Sequence, residues 1–139
     1  MLAASRKFPK SERLRNDNFI AALFKHGKRA HSGEFLFIHL LYDNPLYNNK
    51  IEEKTIKQSS KIKFFVGVRK KEFKHAVKRN RVRRLIKESY RNNKNLLDNF
   101  PISDGKMLFL GILYIGKTVP TYSECCEKIH SFITNNILN

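Results

Sequence analysis

The sequence predicts an α+β fold, an α/β sandwich in which helices pack on a sheet, formed by one domain spanning residues 1–139. Alternating or continuous apolar runs indicate strands, and amphipathic segments with capping signals indicate helices. These segments follow one another as helix, two or three strands, helix, strand, helix. A chain of 139 residues can bury a modest core without metal or disulfide support.

The first and last helices are predicted from their ends. Residues 16–18, Asn-Asp-Asn, supply cap chemistry for the first helix, and Gly27 is expected to end it in the left-handed conformation. The last helical element is predicted to start at Pro120, where Thr121 and Glu124 have the spacing of a capping box. Apolar residues recur at helical intervals in both helices, a pattern more often typical of core than of ligand contacts: Phe19, Ile20, Leu23, Phe24, Tyr122, Cys125, Cys126, Ile129, Phe132 and Ile133.

Four segments have the composition of strands. Residues 35–42 are aromatic and aliphatic, and a short strand at 28–31 is expected before them. Residues 107–115 are almost continuously apolar, which predicts a strand buried on both faces. Residues 61–69 alternate, with a basic face that carries an exposed aromatic, Phe65. The polar stretch at 44–60 is interpreted as a long loop insertion without chemistry of its own.

Charge indicates the kind of partner. The formal net charge is +16 at pH 7, and residues 61–94 hold 14 of the 28 Lys and Arg against two acids. Such one-sided basicity opposes folding and favours a polyanionic partner. The longest apolar run is far shorter than the roughly 20 residues of a membrane-spanning helix, and the amino terminus lacks a signal-peptide core. We expect a cytoplasmic protein with no membrane partner.

The only cysteines, Cys125 and Cys126, are adjacent, which offers neither a disulfide framework nor a zinc spacing. We interpret them as core-facing thiols in a reducing compartment.

A helix predicted from Ala76 to about Asn93 carries most of the functional argument. On a helical wheel, the stripe expected to be buried comprises Val82, Leu85, Ile86 and Ser89, and Asn80 lies among cations on the opposite side. Arginine forks suit bidentate phosphate contact better than lysine does. A solvated helix would normally alternate its charges, so nucleic acid binding is favoured over a generic solvated charge run.

RNA is favoured over duplex DNA, because the basic helix lies between two strands and no helix-turn-helix, zipper or finger pattern accompanies it. Exposed aromatics near cations also suit unpaired bases. A sequence-specific DNA-binding regulator remains the disfavoured alternative, and we expect no DNA partner.

Two stretches carry a specific resemblance: Val68-Arg69-Lys70-Lys71 and residues 76–91, AVKRNRVRRLIKESYR. They resemble the signature of the bacterial ribonuclease P protein family. The resemblance implies the order αβββαβα, with a left-handed strand-helix-strand crossover that sequence alone would not suggest, as in folds like ribosomal protein S5 domain 2. Three features depart from the family pattern: Ile20 and Ile38 replace common aromatics, the 44–60 loop is long, and four residues separate Lys71 from Ala76.

The resemblance implies a division of labour. The partner would be the catalytic ribonuclease P RNA, which acts with Mg²⁺ in the RNA-protein holoenzyme, while the protein would hold the 5′ leader of precursor tRNA. By position, the residues expected to meet the catalytic RNA are Arg79, Asn80, Arg81, Arg83, Arg84, Lys87 and Arg91. Those expected to line the leader cleft are Ile20, Phe24, Leu36, Ile38, Lys70, Lys71 and Lys117.

A protein nuclease would need clustered carboxylates or a paired acid and base. The acids lie singly and the five histidines lack metal-ligand spacing, so we expect no catalytic or metal-binding residue and no cofactor on the protein alone. The main alternative is a ribosomal or other ribonucleoprotein component that binds RNA without recognising a leader.

Overall fold

The computed structural model describes residues 12–43, 61–103 and 105–138, so the predicted 44–60 loop lies outside the described residues. The elements follow the predicted order. They are α1 (Asp17–His26), β1 (Lys28–Ser32), β2 (Phe35–Asp43), β3 (Ile62–Val68), α2 (Ala76–Asn93), β4 (Lys106–Tyr114) and α3 (Tyr122–Phe132). A short 3-10 helix, Lys94–Leu97, follows α2, and a π-helical turn, Ile133–Ile137, extends α3.

The four strands form one sheet in the order β1-β2-β4-β3. β2 pairs antiparallel with β1 and with β4, whereas β3 and β4 are parallel neighbours connected through α2. This confirms the αβββαβα order. The handedness of the β3-α2-β4 crossover stays a prediction from the resemblance.

A short segment before α1, residues 12–15, lies at the free edge of β3, and we call it the N-terminal segment. Arg13 forms an isolated parallel bridge with Phe64, and the Leu14 amide donates to the Phe64 carbonyl at 2.8 Å. Leu14 is buried. The sheet is thus extended by one bridge beyond β3.

Apolar side chains form one cluster on each face of the sheet. The α2 face, covered by α2 and α3, includes Phe64, Ile86 and Ile129. The α1 face, covered by α1, includes Leu23 and Phe109. β4 lies centrally and contributes residues to both clusters, which confirms that it is buried on both faces.

The start of α1 confirms the predicted cap, because Asn16 Oδ1 accepts from the amides of Asn18 at 2.9 Å and Phe19 at 3.3 Å. The prediction for Gly27 is wrong. Its φ is −70° and its ψ is 154°, an extended conformation open to any residue. A Cβ at Gly27 would lie 2.5 Å from Ile38 Cγ2, so close packing against β2 explains the glycine.

The cap of α3 has half of the predicted capping box, with Thr121 Oγ1 accepting from the Glu124 amide at 3.1 Å. Cys125 is fully buried, and burial raises the pKa of its thiol to about 11. Cys126 is only half-buried and Tyr122 is 39% exposed, so the expected core face is narrower than the sequence suggested.

The prediction that Phe65 is an exposed aromatic is wrong as well. Phe65 is half-buried, and its ring meets that of Phe24 edge-on with the centroids 5.8 Å apart. Phe24 of α1 packs against this side of β3, which local alternation could not reveal. Within the described ranges, no helix combines the length and the apolar character required to cross a membrane.

Candidate nucleic-acid interface

One side of α2 is anchored in the core. Val82, Ile86 and Ser89 have no exposed surface, and the Ser89 hydroxyl donates to the Leu85 carbonyl at 2.7 Å. Tyr90, which the wheel did not single out, stacks on Phe64 with ring centroids 3.9 Å apart. The opposite side of α2 is therefore held in a fixed orientation.

The seven α2 residues predicted to meet RNA lie outside this anchored stripe. Asn80, Arg81 and Arg84 are exposed. The remaining four are half-buried: Arg79, Arg83, Lys87 and Arg91. None of the seven is part of the core.

Two of these arginines also have structural roles. Arg79 Nη1 donates to the carbonyls of Phe73 at 2.7 Å and Lys74 at 3.0 Å, which ties the helix to the turn before it. Arg91 forms an ion pair with Glu88, the only acid of α2. The bonds of Arg79 use donors that could otherwise bind RNA at the start of α2, and the Arg91–Glu88 pair lowers the net positive charge near its end.

Asn80 lies beside Arg83, whose Nη1 donates to Asn80 Oδ1 at 3.0 Å. This bond orients the amide, so the exposed NH₂ group of Asn80 can donate outward. An amide donor amid guanidinium groups can bind a phosphate oxygen, a 2′-hydroxyl or a base edge.

A depression of about 530 Å³ runs along this side of α2 and includes Arg13 of the N-terminal segment. Lys87 has its pKa lowered, first by burial and then by repulsion from Arg13, Arg83 and Arg15. Like charges are therefore held close enough to disfavour one another, a situation that a bound anion would relieve.

The first turn of α2 contains no acidic residue to balance the positive end of the helix dipole. His75 is the N-cap residue but makes no side-chain capping bond, and Val77 is 80% exposed. The start of α2 is consequently a second electropositive region.

The residues predicted for the leader cleft do not all reach the surface. Ile20 and Phe24 are half-buried against the α1-face cluster, and Leu36 is a buried member of that cluster with 8% of its surface exposed. Ile38 has no exposed surface, because Gly27 and α1 pack on it. As it stands, Ile38 can support the floor of a cleft but cannot contact a ligand there.

The structure does form a groove of about 600 Å³ beside β3, and Leu36 lines it. Other lining residues were not predicted for the cleft: Phe65, Gly67, Arg69, Arg83 and Leu113. Phe65 was noticed in the sequence only as an exposed aromatic. Arg83 belongs also to the depression along α2, so the groove and the cationic side of α2 are adjacent.

The three lysines predicted for the leader are exposed in the turns that follow the parallel strands. Lys70 and Lys71 follow β3, where the Arg69 amide donates to the Tyr114 carbonyl at 3.1 Å. Lys117 follows β4. The Tyr114 hydroxyl lies 2.6 Å from the Thr118 carbonyl oxygen, which holds the turn that carries Lys117.

Side chains that could perform chemistry are scattered. Across residues 12–43, 61–103 and 105–138, no three His, Cys, Asp or Glu side chains gather where they could hold a metal. His39 has its pKa lowered by burial and by Lys28. Its Nδ1 is buried, and no group within the described part of the chain hydrogen-bonds it.

Fold and site together define a small, basic α+β protein that presents a rigid cationic helix beside an apolar groove. A family model described as Ribonuclease P matches residues 8–133. Over 133 residues the chain is 34% identical to the ribonuclease P protein component of Chlorobium phaeobacteroides, covering 91% of this chain and 85% of that protein. The chain belongs to the ribonuclease P protein family.

Solved structures share the fold. The RNase P protein of Staphylococcus aureus superposes with a TM-score of 0.62 at 16% identity, covering 94% of this chain and all of that one (100%). The protein from Thermotoga maritima gives a TM-score of 0.57 at 20% identity, covering 85% of this chain and 91% of that one.

Proposed function

We propose that this chain is the protein subunit of ribonuclease P. It binds the catalytic RNA and the 5′ leader of precursor tRNA in the cytoplasm, and assists endonucleolytic removal of the leader to give the mature tRNA 5′ end. Hydrolysis belongs to the RNA subunit with Mg²⁺, and the chain alone cleaves nothing and needs no cofactor of its own.

The two-sided character of α2 carries this proposal. Its inner stripe is buried against Phe64 and the sheet, while its outer residues point cations and the Asn80 amide away from the core. A folded RNA offers a fixed array of phosphates and hydroxyls, and a preorganised helix binds it with little loss of conformational entropy.

The groove beside β3 supports the second contact. Leu36, Phe65 and Leu113 present apolar and aromatic surface to it, and Lys70 and Lys71 follow the end of the same strand. An unpaired leader can stack bases on such surface while its phosphates meet the lysines. A duplex would not expose its bases in this way.

Reconstitution tests the proposal directly. The full chain, mixed with the matching ribonuclease P RNA at low Mg²⁺, should restore 5′-leader removal, and the chain without RNA should cleave nothing. Cleavage by the chain alone would contradict the assignment of hydrolysis to RNA.

Leader recognition is tested by comparing the affinity of the reconstituted particle for precursor and mature tRNA. We expect a preference for the precursor that shrinks in the Lys70→Ala/Lys71→Ala variant and persists in Lys106→Ala, an exposed lysine at the start of β4. Equal affinity for both tRNAs in the parent particle would favour a ribonucleoprotein component without leader recognition.

The role of α2 is tested by the salt dependence of binding to the ribonuclease P RNA. Arg84→Ala removes an exposed guanidinium and should lower the log-log salt slope by about one without unfolding the chain. Lys106→Ala, which removes the same charge elsewhere, should leave the slope unchanged. Equal slopes for all three proteins would argue against α2 as the RNA contact.

A further inference from the structure

The N-terminal segment is held at two points. Leu14 is buried and bonded to the Phe64 carbonyl, and the Glu12 carboxylate, also buried, accepts from Lys94 Nζ at 2.9 Å. Lys94 directly follows α2. The segment is therefore fastened both to the edge of β3 and to the end of the basic helix.

The bridge to β3 determines which way Arg13 points. Residues paired across neighbouring strands share a face of the sheet, and successive residues alternate. Phe64 turns its ring toward Tyr90 of α2, so its partner Arg13 lies on the α2 side, whereas Leu14 joins the α1-face cluster.

Two adjoining depressions show where these cations meet α2. The larger one, along α2, is lined by Arg13 as well as by Arg83 and Lys87. A smaller one of about 260 Å³ is lined by Arg13, Arg15, Arg83 and Lys87, together with apolar residues of the segment and of β3. Its lining, as far as the structure describes it, contains no acid.

We propose that Arg13 and Arg15 of the N-terminal segment, with Arg83 and Lys87 of α2, form one site for a backbone phosphate of the RNA. The site rests on the proposed function, since it extends the RNA-binding side of α2 onto a second element. It assigns RNA contacts to two arginines outside the basic helix.

Chemistry favours a phosphate here. Two or more guanidinium groups can each offer paired N–H donors to phosphate oxygens. Burial and the neighbouring arginines lower the pKa of Lys87, and the single negative charge of a backbone phosphodiester would oppose the repulsive part of that shift. Because the segment is fastened at Glu12 and Leu14, the site exists before RNA arrives.

The first experiment measures the salt dependence of binding between the full chain and the ribonuclease P RNA. Arg15→Ala, which removes an exposed side chain, should lower the log-log slope by up to about one and weaken binding about fivefold near 0.15 M salt. Lys87→Ala should behave similarly. If one phosphate is shared, the double variant should lose about one unit of slope rather than two.

Two controls separate the possible failures. Lys106→Ala should leave the slope unchanged, and an equal loss in that variant would overturn the site by showing a general charge effect. Arg84, the second control position, lies outside the smaller depression. If Arg84→Ala lowers the slope while Arg15→Ala does not, the proposed function stands and the shared site is wrong. If neither variant lowers the slope, the proposed RNA contact of α2 and the shared site are both wrong.

A second measurement does not depend on affinity. The titration of the Lys87 side chain, followed by NMR, should move to a higher pKa in Arg13→Gln and again when RNA binds the parent chain. The site would be overturned if the pKa of Lys87 stayed the same both in Arg13→Gln and on RNA binding. Urea unfolding of each variant checks that the N-terminal segment remains docked. If Arg13→Gln fails to fold, the salt dependence of the Arg15→Ala variant decides whether the shared site exists.

Discussion

The two faces of the sheet are closed to different degrees. Among the described residues, the α2-face cluster has twenty buried members and six partly buried ones, whereas the α1-face cluster has six and seven. Two helices seal the first face, and one short helix covers the second. The sealed face makes a rigid support for charges on the outside of α2, and the open face leaves apolar surface that a ligand can reach.

The largest expected difference between the faces comes from aromatic truncation. Phe64→Ala removes a fully packed ring from the α2 face and should lower the free energy of unfolding by about 3–5 kcal/mol. Phe24→Ala on the α1 face should cost about 1–2 kcal/mol, because its ring is already partly in water. Urea denaturation measures both, and equal losses would break the comparison.

Two glycines on the α1 face sharpen the comparison between the two faces of the sheet. A Cβ at Gly111 would lie 2.9 Å from Cδ2 of Leu23, which is fully buried under α1, so Gly111→Ala should cost about 1–3 kcal/mol. A Cβ at Gly67 would lie 2.6 Å from Cδ2 of Leu113, which lines the open groove and can move. Gly67→Ala should therefore cost less in urea denaturation, and the reverse order would show that the groove is closed.

Removing one arginine at a time separates support from contact on α2. Arg79→Ala removes two hydrogen bonds to the turn before the helix and should destabilise the fold by about 1 kcal/mol. Arg81→Ala removes the same charge from an exposed position, with an expected change within about 0.5 kcal/mol. Thermal unfolding at one salt concentration distinguishes them; identical losses would deny Arg79 its structural role.

The smallest effect concerns pH. His39 has its pKa lowered below 6.5 by burial and by Lys28. Below pH 6.5 the His39 side chain takes up a proton more readily in the unfolded chain than in the folded one. The free energy of unfolding should therefore decrease as the pH is lowered from 6.5 to the pKa of His39 in the folded state. His39→Gln should lose less stability between pH 7.5 and pH 5 than the parent chain, as measured by urea denaturation at each pH. An identical pH dependence would contradict this assignment.

Local patterns were sufficient to predict α2. The sequence placed its helix at Ala76 to about Asn93 and identified Val82, Ile86 and Ser89 of the buried stripe, because both properties depend on neighbours three and four residues away. It missed the buried Tyr90, and Leu85 is only half-buried. The strands were found equally well. The RNA and leader roles of individual residues stay predictions.

Properties that depend on distant residues were not predictable. Gly27 is a glycine because of Ile38, and Phe65 is partly covered because the Phe24 ring of α1 packs against it. Because β4 is almost continuously apolar, its sequence does not show which residues face which side of the sheet, so Leu113 could not be assigned to the groove. Arg13 and Arg15 had no signal at all, because their position depends on a bridge to a strand about fifty residues later.

The central place of β4 has a consequence for how the chain acquires its shape during synthesis. β4 is the last strand to be made, yet it is the one that joins the β1-β2 hairpin to β3. Until residues 106–114 have left the ribosome, β3 lacks β4, the strand with which it pairs along its length, and the basic helix has only part of the surface on which it packs. Sheet assembly must therefore wait for the final third of the chain, a late and long-range step of the kind that slows folding.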